Sequence, residues 1–178
     1  MLVRCFHPGD ALLEWSTFKS GLPIYDYENE FPLATEFILG HFTSSAFLPS
    51  ILEQGLLPDV EKSRAIDDRV PSDSESVYLA TTFDRYYFDR ATQHHGGEGI
   101  AVEVQVLRSA LFADEGQLAQ ATLEQNSPEK ALYLSMCGGA CKHKGPILPS
   151  QILSITDFHG AELYKNPVRG KRDSGNRT

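Results

Sequence analysis

The stretch LGHFTSSAFLPSILEQGLLP, residues 39–58, decides how the chain is read. An apolar run, Phe37 to Leu39, leads into Gly40 and His41, and the hydroxyl residues Thr43, Ser44 and Ser45 follow. Phe47, Leu48, Ile51 and Leu52 then recur at three-to-four spacing, which predicts a helix over 46–54 after a strand over 37–43. Pro49 has no amide donor and suits the first helical turn. Gly55 suits the position just past the helix, where the chain often turns left-handed. Hydroxyls at such a junction either cap the helix or reach a ligand.

Before this stretch, residues 1–36 read as loops with one short helix near 11–19, punctuated by Pro8, Pro23 and Pro32. After it, 59–75 is polar and aperiodic, and predicts an exposed, mobile loop. Strands are expected over 76–82 and 99–107, with a helix over 83–95 between them. In the second strand Ile100, Val102, Val104 and Val106 alternate onto one face, leaving Glu103 on the other, where solvent is expected. Helices over 114–125 and 127–137 follow, with Asp114 and Glu115 suiting the first helix start. Short strands over 140–147 and 152–158 close the pattern. These elements form a single α+β domain over 1–165, with its core at 37–158 and a basic, flexible tail at 166–178.

The 178 residues carry a formal charge of -8 and a pI near 5.2, which argues against a surface built mainly to hold nucleic acid. No apolar run approaches the roughly 18 residues of a membrane span. The first residues lack a signal-peptide pattern, and three cysteines do not suggest a disulfide framework, so a cytoplasmic location is expected. Neither a phosphate-binding P-loop nor a G-x-G-x-x-G fingerprint occurs. Cys137, Cys141 and His143, with Cys5 and His7, match no strong zinc spacing, and no metal is expected.

The ordered series resembles the ADP-ribosyltransferase superfamily, which includes poly(ADP-ribose) polymerases, DNA-modifying toxins and RNA 2'-phosphotransferases. The resemblance rests on His41-Phe42-Thr43, on Leu48-Pro49-Ser50-Ile51-Leu52-Glu53-Gln54-Gly55-Leu56, on Tyr78-Leu79-Ala80, and on the closing GPILPSQI, residues 145–152. It implies a split, twisted, antiparallel-rich β-sheet with flanking helices, NAD as the cofactor, and transfer of ADP-ribose to a macromolecular acceptor, protein or nucleic acid. An RNA 2'-phosphotransferase-like enzyme is the alternative, as is a binding module of the same fold that has lost its chemistry.

By the same resemblance His41 orients a ribose and Tyr78 stacks on the cationic nicotinamide ring, a contact that dispersion and the ring quadrupole favour. Thr43, Ser44 and Ala80 would line the cofactor, and Tyr86 or Tyr87 would add a second aromatic wall. Many members place a glutamate near the final strands, where it steadies the sugar cation. Here the matching segment GGACKHK holds Lys142, His143 and Lys144 and no acid. The carboxylate is expected instead from Asp114 or Glu115, and His143 is a second candidate for the catalytic set. Lys142 and Lys144 read as solvated charges on an edge strand.

Overall fold

The alternating valines of 99–107 build the strand they predict, and it lies inside the sheet rather than at its rim. A computed structural model describes residues 2–4, 31–58, 73–81, 85–116 and 118–167. Its strands in chain order are β1 (Leu2–Arg4), β2 (Glu36–Ser44), β3 (Ser76–Ala80), β4 (Gly99–Leu107), β5 (Leu111–Phe112), β6 (Ala140–Lys144), β7 (Ile152–Asp157) and β8 (Glu162–Lys165). The helices are α1 (Leu48–Gln54), α2 (Arg85–His95), α3 (Gln120–Gln125) and α4 (Pro128–Cys137). All eight strands join one sheet in the order β5-β6-β3-β2-β4-β7-β8, with β1 beside β2. The β1–β2 pair is parallel and every other pair is antiparallel, so the chain is α+β.

Ile100, Val102, Val104 and Val106 are all buried, and they pack with Phe37 and Leu39 of β2, Val77 and Leu79 of β3, and Ile152 and Ile155 of β7. Leu132 and Met136 of α4 join the same cluster. Burying each such side chain contributes roughly 1.5–3 kcal/mol. Gly55 ends α1 at φ +85°, where a Cβ would collide with the carbonyl oxygen of Ile147. That close approach lets Leu56 and Ile147 exchange backbone hydrogen bonds of 2.9 and 2.8 Å.

Four expectations are corrected. The helix expected from Asp114 is a short strand, β5, followed by a turn, and α3 begins only at Gln120. Leu111 and Phe112 pair with His143 and Lys142, and the Asp114 carboxylate accepts the Gly116 amide at 2.9 Å, so pairing and a side-chain turn override helical propensity. Glu103 is buried, not solvated, because β4 is an interior strand; its Oε2 accepts from Ser154 Oγ at 3.1 Å. Lys142 lies on β6, which has β3 on one side and β5 on the other, so it is not an edge residue. Asn166, placed in the tail, is buried and donates from Nδ2 to the Ile152 carbonyl at 2.9 Å.

The helix expected near 11–19, the tail from 168 onward and residues 59–72 of the expected loop fall outside the described residues. No helix among the described residues is long and apolar enough to cross a membrane.

Candidate functional site

Strand β2 has two unequal flanks. Along one it pairs with β4 through every residue from Glu36 to Ser44. Along the other, β1 covers Glu36 to Ile38 and β3 meets it at a single pair, Gly40↔Ala80. Beyond that pair the strands part. There His41 Nδ1 donates to the backbone carbonyl of Tyr78 at 2.9 Å. A carbonyl can only accept, so Nδ1 carries a proton. The imidazole thus takes the place of a strand-to-strand bond where β2 and β3 diverge. The two residues singled out from the sequence, 41 and 78, meet at this split.

They meet through side chain and backbone, however. Alternation from the Gly40↔Ala80 pair sends the Tyr78 ring to the Gly40 side of the sheet and His41 to the side of Leu39 and Val102. On its own side, Tyr78 lies in a row with Lys142 and Phe112, its register partners across β6 and β5. The Tyr78 hydroxyl accepts the Asp73 amide at 2.7 Å. Burial pushes the phenol above its ordinary range, the Asp73 amide offsets part of that, and the Asp114 charge adds to the rise.

Lys142 is buried at 8% exposure, and its ammonium lies 3.2 Å from Asp73 Oδ2 and 2.6 Å from Glu115 Oε2. Burial alone would lower it, but its bonds to Glu115 and Asp73 and their charges outweigh that and hold it above the ordinary lysine range. Asp73 is held below the usual carboxylate range by the Glu75 amide first, then by the Ser76 hydroxyl and Lys142. Asp114 is pushed up by burial and by the neighbouring Glu115 charge, against the Gly116 amide and Lys142. Its backbone is anchored: the Asp114 amide donates to Ser135 Oγ, and that hydroxyl donates to the Ala140 carbonyl, both at 2.8 Å. The face around Tyr78 therefore gathers three carboxylates: Asp73 and Glu115 pair with the buried ammonium, and Asp114 lies near enough to feel its charge.

Other expected site residues fall elsewhere. His143 pairs in register with Val77 and Leu111, so it faces the core and not Tyr78. Its Nδ1 donates to the Gly145 carbonyl at 3.2 Å, and burial lowers its pKa. Thr43 and Ser44 are buried. The Ser44 hydroxyl donates to the Gly96 carbonyl and accepts the Ala46 amide at 3.1 Å, while Ser45 Oγ accepts the Glu98 amide at 2.9 Å. These serines tie the 96–98 turn to β2 and cap the turn before α1. Ala80 is buried beside the split, between Gly40 and Ala140. Tyr86 and Tyr87 lie in α2, which packs against β2 and β4, but their side chains fall outside the described residues. No group of three or more potential metal ligands occurs among the described residues.

Sequence reasoning missed Lys142 and Asp73. Lys142 had a signal: a charge inside a short strand whose alternate residues Cys141 and His143 face the core. Asp73 had a weaker one, the polar run Asp73-Ser74-Glu75-Ser76 that turns into β3.

No family model matches the chain, and no curated protein matches it. Among solved structures, EcPltA is similar with a TM-score of 0.43 and 11% identity, over 73% of this chain and 82% of that one. A likeness at that level defines neither fold family nor function.

Proposed function

We propose that the chain is an NAD-dependent ADP-ribosyltransferase acting on a macromolecule, and that NAD binds where β2 and β3 part. The observation that carries this reading is the parting of β2 from β3 beyond Gly40↔Ala80, where the His41 imidazole bonds the Tyr78 backbone carbonyl while the Tyr78 ring lies on the other face of the sheet. The bond from Nδ1 to the Tyr78 carbonyl fixes the imidazole at the split, and an imidazole held there suits a ribose hydroxyl. The acid-rich face around Tyr78 suits a positively charged ring and the sugar cation left when neutral nicotinamide departs.

The acid that the resemblance expects from the strand before Gly145 is replaced there by Lys142. On this reading the carboxylate comes from the turn after β5. Glu115 is bound to Lys142, whereas Asp114 is half-buried and its charge acts on the Tyr78 phenol. Asp114 is the acid assigned to steady the cation, and Glu115 its neighbour of the same sign. Bond by bond, the glycosidic C–N bond breaks with its electron pair leaving on nicotinamide. The acceptor nucleophile then bonds the sugar carbon and gives up its proton to solvent water.

The test is release of nicotinamide, and labelling of a cell lysate, from NAD labelled in the adenylate. Folded wild-type protein should do both, and Asp114→Asn should lose at least tenfold in rate. Folded protein that leaves NAD intact for hours would overturn the reading.

A further inference from the structure

Lys142 has two carboxylate partners, and they are held very differently. Asp73 is fixed: Oδ1 accepts the Glu75 amide at 2.9 Å and Oδ2 accepts the Ser76 hydroxyl at 2.9 Å, besides its bond to Lys142. Glu115 sits on the turn after β5 at 57% side-chain exposure, and its described ion pair is with Lys142 alone, at 2.6 Å. Lys142 is itself buried in the middle of a strand and cannot travel far. Of the three groups, Glu115 is the one free to swing.

From this arrangement we infer that the Glu115–Lys142 ion pair is an autoinhibitory contact, which a ligand carrying positive charge against the Tyr78 face relieves by drawing Glu115 to itself. The inference rests on the site reading given above and adds its regulation. In the resting protein Lys142 neutralises Glu115 and competes with any incoming cation. Once Glu115 turns to the ligand, Lys142 keeps Asp73, so the buried ammonium is never left without a partner. Among the described residues, the titratable and charged groups facing this contact are Asp73 and Tyr78 from β3 and its approach, Asp114 beside Glu115, and Lys144, which alternates onto the same face and lies 3.8 Å from Glu75. Acids outnumber cations among them, so a neutral or anionic ligand would gain nothing by displacing Glu115.

The probe is N1-methylnicotinamide, a permanently cationic ring, with neutral nicotinamide as the control, each titrated by calorimetry. The account expects Glu115→Gln to weaken the cationic probe about fivefold and Lys142→Met to tighten it by a similar factor. In the Glu115→Gln background Lys142→Met should tighten it much less, because the competition is for that carboxylate. Nicotinamide should move little in any variant. An unchanged or weaker affinity in Lys142→Met overturns the inference, and so does an equal gain in both backgrounds or no binding of the cationic probe at all.

Should Lys142→Met fail to melt cooperatively, the side-chain carboxyl NMR signal of Glu115 in the wild-type protein decides. It should shift when the cationic probe is added, and an unchanged signal at saturating probe overturns the inference. Probe behaviour as expected with no cleavage of NAD would retire the transferase reading and leave the contact standing. Cleavage of NAD without this pattern would do the reverse.

Discussion

The two flanks of β2 are built very differently. Against β4 the strand pairs along its full length, with Phe37 opposite Val106 and Leu39 opposite Val104 in the core. Against β3 it pairs once, and an imidazole replaces the next contact. The strand thus serves as scaffold along its whole length on one side, and beyond Gly40 it parts from its neighbour on the other. On the proposed reading the difference separates stability from binding: substitutions facing β4 should cost folding, and those at the opening should cost ligand affinity.

The largest expected effect lies on the β4 flank. Leu39→Ala leaves a cavity in the main cluster and should cost about 2–5 kcal/mol of unfolding free energy, read by urea denaturation. A loss under about 1 kcal/mol would mean that the β2–β4 core is not the stabilising unit.

At the opening, His41→Ala should weaken NAD binding about tenfold, equivalent to about 1.4 kcal/mol. It should lower folding stability by only about 1 kcal/mol, the value of one hydrogen bond. Calorimetry and thermal melts on the same samples would show the split. A variant that loses stability as severely as Leu39→Ala, with NAD affinity intact, would reverse the roles of the flanks.

A smaller effect is expected from pH. His143 faces the core and its folded pKa lies below the ordinary value of about 6.5. Its neutral form is the one that folding favours, so the native state binds fewer protons than the unfolded chain. Stability should therefore fall as pH drops through about 6.5 and level off below the folded pKa. His143→Gln should flatten the decline in melting temperature between about pH 7.5 and 5.5. An equal slope in both proteins would place the titrating group elsewhere.

The smallest effect is assigned to the sheet's far rim. Leu163 of β8 is exposed, and Leu163→Lys should change stability by under about 0.5 kcal/mol with NAD binding unaltered. A large change in either would show that this rim has a role beyond closing the sheet.

Legibility from sequence followed the reach of each interaction. The Val-rich alternation of 100–106 and the α1 pattern ending at Gly55 are local signals, and both elements formed where the spacing put them. Strands β5 and β8 were not legible, because each is made by its partner. Leu111 and Phe112 are extended by pairing with β6, and β8 is returned to β7 by a turn in which Asp157 Oδ1 accepts the His159 and Ala161 amides at 2.8 Å.

The site was legible in part for the same reason. His41 and Tyr78 were chosen as motif residues and do meet, but by way of the Tyr78 backbone, which no side-chain pattern encodes. His143 was chosen from its neighbours in sequence, and strand alternation sends it to the opposite face from Lys142. The ion cluster joins residues 73, 115 and 142 across three segments, and no spacing along the chain announces such a meeting.

The most direct test of the central claim is amide NMR of the labelled protein during titration with NAD. The account predicts shifts concentrated at Gly40 and His41, at Tyr78 to Thr81, and at Asp114 to Gly116, with β7 and β8 quiet. Shifts confined to β7 and β8, or none at saturating NAD, would contradict it.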